Sequence, residues 1–514
     1  MESKNTSAFS LGDLSGKGRF SRNVAFAWGS YVAQAAAGFV MPRLISDSLG
    51  QATLGVWDFV WSLVAYLGFI ELGLSGSVNR FVAQYRAKGD VASLTRSVST
   101  VGLFLKVAGA VAVLLTLILS AWVLPLFSSQ LGPDLLTARL AVIFLGLEVA
   151  VSLMFSVYLG VIVGCLRSDT HYVVSTVVNT LTALGMVAAL VAGCGLPTIA
   201  LVHFSVAAGG GVARWRLARR VCPELVVDYS TASWRVLREQ ARFTAKSVLP
   251  TIADVLVNQS VGVLVALYLG PATLAIYSRP RNLVRQVSIL TSRFGYILIP
   301  AASSLHARSE DDELAKTVRE KSLHIALVTM PVAITLAVLG DDLIRFWMGE
   351  DYVYRHLVPI LALGALPTWV QEPAWSILSG MNRHGRLAMT RLVGSLCAAA
   401  TLATGLSLFE WGLLSAAMGL VVPMVIVDGF IVPMFVCRAF GFRVRGYYQN
   451  TWLRPALCVA PYAGCLVLAR QALGSEPLAL AAVLAVSTPF LAVTYWMAVL
   501  PLSVRDRILC RQSA

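Results

Sequence analysis

Long apolar segments alternate with short polar stretches along almost the whole chain. Runs of about 20 apolar residues recur from Asn23 onwards, and a helix of about 20 residues crosses a hydrocarbon layer roughly 30 Å thick. Because lipid offers no hydrogen bonds to the backbone, segments of this kind form helices. The pattern therefore predicts an all-α integral membrane protein with about 14 transmembrane helices.

One short motif occurs twice in this pattern. Residues 49–54 read LGQATL, and 220 positions later residues 269–274 read LGPATL. The same offset aligns Ala87 with Ala307 and Asp90 with Glu310. A repeat that keeps one register over this length indicates two copies of one structural unit.

The predicted spans divide into two lobes of six helices, followed by two further helices. Because six is an even number, both lobes cross the membrane in the same direction and should be related by a pseudo-twofold axis along the membrane normal. The predicted segments are a tail at 1–22, an N-lobe at 23–213, a connector at 214–243, a C-lobe at 244–436, two spans at 437–500 and a tail at 501–514.

Charge supports this topology. The chain carries 41 Lys and Arg residues and a net charge of +14, and most of these cations fall in alternate loops. The positive-inside rule then predicts that both termini are cytoplasmic, and it explains the basic composition without a nucleic-acid partner. The arginine-rich connector could lie on anionic headgroups as an amphipathic segment or could be a solvated linker; both interpretations stay open.

Composition argues against catalysis and metal binding. Hydrophobic residues make up 57% of the chain and charged residues only 13%. The eight Cys and six His residues lack the spacing of metal ligands, and no nucleophilic triad or phosphate-binding loop is present. The loops predicted to face outward are short. We therefore expect a protein that is not an enzyme and has no cofactor.

Arginines in the eighth predicted span, 281–304, are the main candidates for a binding site. A charged residue costs about 2.5–3.5 kcal/mol at the centre of a membrane helix, so it is a functional candidate by default. Arg281, Arg285 and Arg293 follow an i, i+4, i+12 spacing that forms one inclined ridge. With Pro280 in the first turn, the positive helix N-terminus adds to this charge. The ridge suits a phosphate or pyrophosphate group, which Arg binds bidentately.

Arg279 precedes this ridge and has an alternative role. Asp58 aligns with Ser278 in the repeat, so Asp58 could pair with Arg279 or Arg281 across the two lobes. For these two arginines the sequence weighs ligand binding and internal pairing equally, whereas it assigns Arg285 and Arg293 to a cavity.

Acidic residues within spans are candidates for ion coupling or gating. Asp254 shares a polar helix face with Asn258, and Glu372 lies in the tenth span. Whether Na⁺ or H⁺ is the coupling ion stays open. Glu148 and Asp428 have apolar flanks, so we expect them to be hydrogen-bonded packing residues.

Several motifs together resemble the polysaccharide and O-antigen flippases of the MATE/MOP transporter superfamily. The first half carries Pro42-Arg43-Leu44, the 49–55 motif, Glu71-Leu72-Gly73-Leu74, Arg80 and the 87–96 loop; the second half carries 269–281 and 340–352. Glu71 stands where many relatives carry Asp. The superfamily also includes multidrug extruders and lipid II flippases.

The resemblance implies a cavity lined by spans one, two, seven and eight, and alternating access of the two lobes. It implies that the cargo is a polyprenyl-pyrophosphate-linked oligosaccharide, moved outward across the bacterial inner membrane. Arg43 and Lys106 complete the candidate cationic set, and Asp58 and Glu71 the coupling or gating set. A polysaccharide polymerase or glycosyltransferases are candidate partners.

Three other functions are alternatives to a flippase. A drug or cation antiporter of the same superfamily is disfavoured because an arginine-rich cavity repels cations. A membrane glycosyltransferase or polymerase is disfavoured by the short outward loops and the lack of convergent carboxylates. A scaffold without transport activity is the third alternative.

Overall fold

The protein is built of helices and the connections between them in the part that the computed structural model describes, residues 17–71, 73–383, 385–408, 412–474 and 477–498. No strand occurs among these residues, so the predicted all-α fold is confirmed. Eight of the helical stretches are long and apolar enough to cross a membrane, and two further apolar helices are shorter. The chain is a multi-pass membrane protein. Fourteen spans and the pseudo-twofold axis remain predictions, and most of the predicted tails lie outside the described residues.

The chain divides into two compact units, Met1–Ala272 and Thr273–Ala514. The segment limits predicted at residues 213 and 243 mark where membrane spans end and begin, and they stay a prediction. The helices up to the boundary are α1 Lys17–Leu49, α2 Gln51–Val64, α3 Leu74–Lys88, α4 Val91–Ile118, α5 Ser128–Leu131, α6 Leu135–Gly164, α7 Ser168–Val191, α8 Leu196–Val221 and α9 Trp234–Leu269. A 3₁₀ segment, Ala65–Glu71, follows α2.

The remaining helices begin at the boundary. They are α10 Pro271–Ala307, α11 Asp311–Met348, α12 Leu357–Gly380, α13 Gly385–Leu408, α14 Leu413–Ile426, α15 Val432–Phe440, α16 Val444–Tyr448, α17 Arg454–Leu473 and α18 Pro477–Ala498. A π-helical segment, Val427–Ile431, joins α14 to α15.

The sequence repeat is a repeat of backbone conformation. Gly50 has φ 89° and ψ 163°, and Gly270 has φ 84° and ψ 164°. Only glycine adopts this region readily, and each glycine separates two consecutive long helices. Further on, Gly89 and Ser309 both have positive φ, 68° and 57°. The predicted register is confirmed.

Small residues allow close helix packing in the first unit. Val78 and Val82 of α3 pack against Gly160 and Gly164 of α6, where a Cβ would lie 2.7 Å from either valine. Membrane helices associate through such small-residue contacts. The surrounding core comes from α3, α4, α6 and α8.

Two apolar clusters form the second unit. One joins α10, α11 and α12 to the segment from Val427 to Tyr447. The other packs α17 and α18 against α11 and α12, and the Thr335 and Tyr462 hydroxyls are 2.6 Å apart. The two C-terminal helices are therefore built into the second unit.

Helices α8 and α9 both extend into the predicted connector, residues 214–243. Only residues 222–233 lie between them, and they pack on α4. The backbone N–H of Asp228 donates to Ser99 Oγ at 3.0 Å, and that of Ser233 donates to Thr100 Oγ1 at 3.1 Å. These hydrogen bonds hold the middle of the connector on protein.

Candidate substrate site on helix α10

The helix that carries the arginines starts earlier than the sequence predicted. Gly270 ends the preceding turn, and Pro271 takes the first position of α10, where its missing N–H costs no hydrogen bond. Placing Pro280 in the first turn was therefore wrong, since it lies inside the helix. The positive end of the helix lies ten residues, roughly 15 Å, from Arg281 and adds little to its charge.

One face of α10 packs closely against α12. Trp369 Nε1 donates to Ser288 Oγ at 2.7 Å. A Cβ on Gly295 would lie 2.4 Å from Ser376 Oγ and 2.8 Å from Glu372 Oε1. These contacts fix the rotation of α10 about its axis, and so determine which residues remain on its other side.

The ridge turns away from α12 as it runs along the helix. Residues four apart are rotated by about 40° relative to each other, so each arginine of the ridge lies further from the packed face. Arg293 is two residues, or about 200°, from Gly295. The side of α10 turned from α12 carries Arg285, Leu290, Arg293, Tyr296 and Ile297, which we call the open face.

The open face combines cationic and apolar surface. Arg285 is exposed and Arg293 is half-buried, while Tyr296 and Ile297 are 70% and 73% exposed. Arg281, also half-buried, lies at its edge. Such a surface can contact a charged group and a hydrocarbon chain side by side.

Arg279 is separated from this set by burial. Its exposed fraction is only 1%, next to Tyr277 at 0%. A fully desolvated guanidinium requires compensating partners inside the protein. Burial therefore favours internal pairing for Arg279, one of the two alternatives that the sequence left open.

Other predicted site residues have different surroundings. Arg43 Nε lies 2.8 Å from Asp47 Oδ2 on the exposed side of α1. Lys106 Nζ lies 4.3 Å from the ring centre of Tyr229 in the connector. Glu372 lies against Gly295, about 200° around α10 from Arg293, so those two residues meet different faces of the helix.

Polar groups on α9 meet the segment after α2. The Ser260 and Tyr66 hydroxyls are 3.0 Å apart, and Asn258, two residues before Ser260 on α9, is half-buried. Asp58 and Glu71 are also half-buried. The side chain of Asp254 lies outside the described part of the chain.

A carboxylate–imidazole pair in the first unit was not anticipated. Glu148 Oε2 on α6 lies 3.3 Å from His203 Nδ1 on α8. The imidazole also contacts the rings of Trp57 and Trp61, with centroids 5.6 and 5.5 Å away. Each residue is a lone polar group in an apolar span, but only the packing of α6 on α8 shows that they meet.

Asp428 has the packing environment that its apolar flanks indicated. It is 3% exposed. Its carboxylate accepts a hydrogen bond from Thr368 Oγ1 at 2.7 Å, and contacts Trp375 Nε1 and an Arg391 nitrogen at 3.4 Å each. The Arg391 guanidinium lies 3.9 Å from the Trp375 ring centre. These contacts join α12, α13 and the π-helical segment.

Comparison with known proteins decides the family. The model of a family described as polysaccharide biosynthesis protein matches residues 69–355, more than half of the chain. The chain belongs to that family. This membership agrees with the resemblance to the polysaccharide and O-antigen flippases that the sequence motifs indicated.

Individual relatives of this family member are distant in sequence. A putative O-antigen transporter of Shigella flexneri is 21% identical over 347 residues, which cover 64% of this chain and 78% of the relative. The inward closed structure of the lipid II flippase MurJ matches with a TM-score of 0.71 at 10% identity, covering 94% of this chain and all of MurJ. An inward-facing multidrug transporter of the MATE family matches with a TM-score of 0.63 at 11% identity, covering 79% and 95%. These structures share the fold.

Proposed function

We propose that the protein moves a polyprenyl-pyrophosphate-linked oligosaccharide across the bacterial inner membrane by alternating access. The observation that carries the proposal is the open face of α10, where arginines stand beside exposed apolar side chains. A lipid-linked sugar has a matching composition, because a doubly charged pyrophosphate joins a polar sugar to a long hydrocarbon chain.

The arginines of α10 suit the pyrophosphate. Arg281, Arg285 and Arg293 occupy the first, second and fourth positions on the ridge, with Ile289 at the third, so one anionic group could be passed along the ridge from one guanidinium to another. Each guanidinium offers a planar pair of N–H donors to phosphate oxygens. Leu290, Tyr296 and Ile297 would contact the first isoprene units of the lipid.

The relatives support cargo of this class. One is named as a putative O-antigen transporter and another as a lipid II flippase. Coupling to a Na⁺ or H⁺ gradient is part of the proposal. The Glu148–His203 pair, with 3.3 Å between the carboxylate and the imidazole, supports the proton alternative, because carboxylates and imidazoles within membrane spans are the groups that form proton relays.

Reconstituted vesicles test the proposal. A fluorescent polyprenyl-pyrophosphate disaccharide is placed in both leaflets, and its transfer is followed by quenching from outside, with and without an imposed Na⁺ or pH gradient. We expect Arg293→Ala to lower the transfer rate at least about tenfold, the effect of losing about 1.4 kcal/mol of interaction with the cargo. Arg293→Lys should retain part of the activity, because it keeps the charge but not the bidentate geometry.

Arg308→Ala is the matched control. Arg308 follows the last residue of α10, is exposed, and pairs with Glu310 at 3.4 Å, so its loss removes the same charge without touching the open face. Wild-type transfer by Arg293→Ala in correctly inserted protein would contradict the proposal. Transport of ethidium with no transfer of the lipid would favour the drug antiporter instead.

A further inference from the structure

A basic cleft lies in the second unit, away from the open face of α10. It has a volume of about 550 Å³ and is lined by Asn382, Arg383, Gly385, Arg386, Phe435, Arg438 and Ala439. Three of these seven residues are arginines, and none of the seven is acidic. The topology predicted from charge puts this cleft at the cytoplasmic surface of the membrane.

Three elements bring the arginines together. The turn between α12 and α13 carries Arg383, whose backbone N–H donates to Leu378 O at 2.9 Å, and Asn382 adopts a left-handed conformation with φ 56°. Arg386 lies in the first turn of α13, and Arg438 in the last turn of α15. All three side chains are exposed, and among the described residues they form no ion pair.

Each wall of the cleft continues into an apolar stripe. On α13, Met389, Val393 and Leu396 follow Arg386 at helical spacing and are exposed. On α15 and the π-helical segment, Met434, Ile431 and Phe430 precede Arg438 in the same manner. Exposed apolar stripes on a membrane helix contact lipid chains, and arginines at their ends lie at headgroup level.

The geometry points to a binding site in this cleft for the phosphate group of an anionic lipid. The three guanidinium groups surround the phosphate, the N-terminus of α13 adds positive potential, and the acyl or prenyl chains lie along the two stripes. The shared ligand chemistry is a lipid phosphate, which either a phospholipid or a polyprenyl pyrophosphate supplies. The inference does not rest on the proposed function, because it concerns binding at a different surface.

Binding to purified full-length protein in detergent tests the site. The probes are short-chain phosphatidylglycerol, short-chain phosphatidylcholine as the neutral control, and farnesyl pyrophosphate. We expect both anionic probes to bind more tightly than phosphatidylcholine. The double variant Arg386→Gln/Arg438→Gln should bind the anionic probes at least about tenfold more weakly, because two charge-assisted contacts to phosphate are lost.

Arg443→Gln/Arg445→Gln is the matched control. These arginines are exposed just beyond α15 but do not line the cleft, so their loss changes the net charge equally and should alter affinity less than about twofold. Thermal unfolding shows whether each variant is folded, and Arg383→Gln alone provides a milder second variant. If phosphatidylglycerol binds more tightly, the occupant is a membrane phospholipid, and if farnesyl pyrophosphate does, it is a prenyl lipid.

Equal loss of affinity in the two double variants would overturn the inference, since general surface charge would then explain binding. The same conclusion would follow from equal affinity for phosphatidylglycerol and phosphatidylcholine together with no binding of farnesyl pyrophosphate. Because transport is not measured, a failure here is distinguishable from a failure of the proposed function.

Discussion

Gly55→Ala tests the close contact between the two copies of the repeated motif. A Cβ at Gly55 would lie 1.8 Å from the carbonyl oxygen of Pro271 and 2.3 Å from its carbonyl carbon. Ordinary contact begins at 3.4 Å, so the first residue of α10 must move by roughly 1.5 Å to accept one methyl group. Because backbone atoms block it, we expect a cost at the upper part of the range of about 1–3 kcal/mol for overpacking.

The assay is thermal unfolding of purified protein in detergent. One kcal/mol corresponds to about 2–4 °C in domains of 150–250 residues, so a cost of about 2–3 kcal/mol should lower the Tm of Gly55→Ala by roughly 4–12 °C. Its transfer rate should fall as well, because Pro271 begins the helix that carries the arginines. The control is Gly102→Ala, where the nearest atom to a new Cβ is a Tyr229 ring carbon at 3.6 Å, and its Tm should change little. A Gly55→Ala variant that melts within a degree of the wild type would refute this reasoning.

Two further predictions concern polar contacts. Asp428→Ala should lower the free energy of unfolding by about 3 kcal/mol, the lower end of the range for breaking a buried pair, because Arg391 is partly exposed. Asp428→Asn, which keeps the Thr368 hydrogen bond, should cost less, and equal Tm values for the two variants would contradict this. Burial raises the pKa of Glu224, but hydrogen bonds from its own backbone and from Arg86 lower it by more. The pKa therefore lies below the usual value of a Glu side chain. The stabilisation of the connector by Glu224 is therefore present above the pKa of an unfolded Glu and is lost as the pH falls through the lowered pKa. The rate of backbone hydrogen exchange in residues 222–233 should rise as the pH falls over that interval. The rise should be smaller in the Glu224→Gln variant.

Local backbone rules explain how much of the fold was predictable. Positive φ angles at Gly50 and Gly270 depend on glycine alone, so the repeat in sequence became a repeat in structure. The start of α10 was missed because Ser278, Arg279 and Arg281 interrupt the apolar pattern, although Pro271 directly after a glycine is a helix-start signal. Hydropathy predicts which residues lie inside the membrane, whereas capping residues predict where a helix begins and ends.

Side-chain partners were less predictable than helices. Arg285 and Arg293 could be placed on one ridge because four-residue spacing is a property of a single helix. Glu148 and His203 lie 55 positions apart on different helices, and their contact depends on how α6 packs on α8. The sequence alone does not show how two helices pack, so neither residue could be assigned a partner from it.

The repeat also explains the burial of Arg279. With the confirmed offset, Arg279 occupies the position of Phe59 in the first copy, and both side chains are 1% exposed. The neighbouring pair, Tyr277 and Trp57, is buried as well. This position is therefore buried in both copies of the repeat, and in the second copy the buried side chain is a guanidinium. Arg279 is buried because the repeat places it at a core position, and this burial separates it from the open face.

The rest of the ridge belongs to one copy only. Uncharged residues occupy the matching positions of the first copy: Trp61, Ala65 and Gly73 stand where the second has Arg281, Arg285 and Arg293. Duplication of a unit with an anion site would leave two such sites, one in each half. In the part of the chain that the structure describes, the arginine ridge lies on α10 and the matching positions of the first copy are uncharged. A single ridge suits a transporter that handles one anionic headgroup at a time, and this asymmetry makes Arg293 the sharpest position at which to test the proposed function.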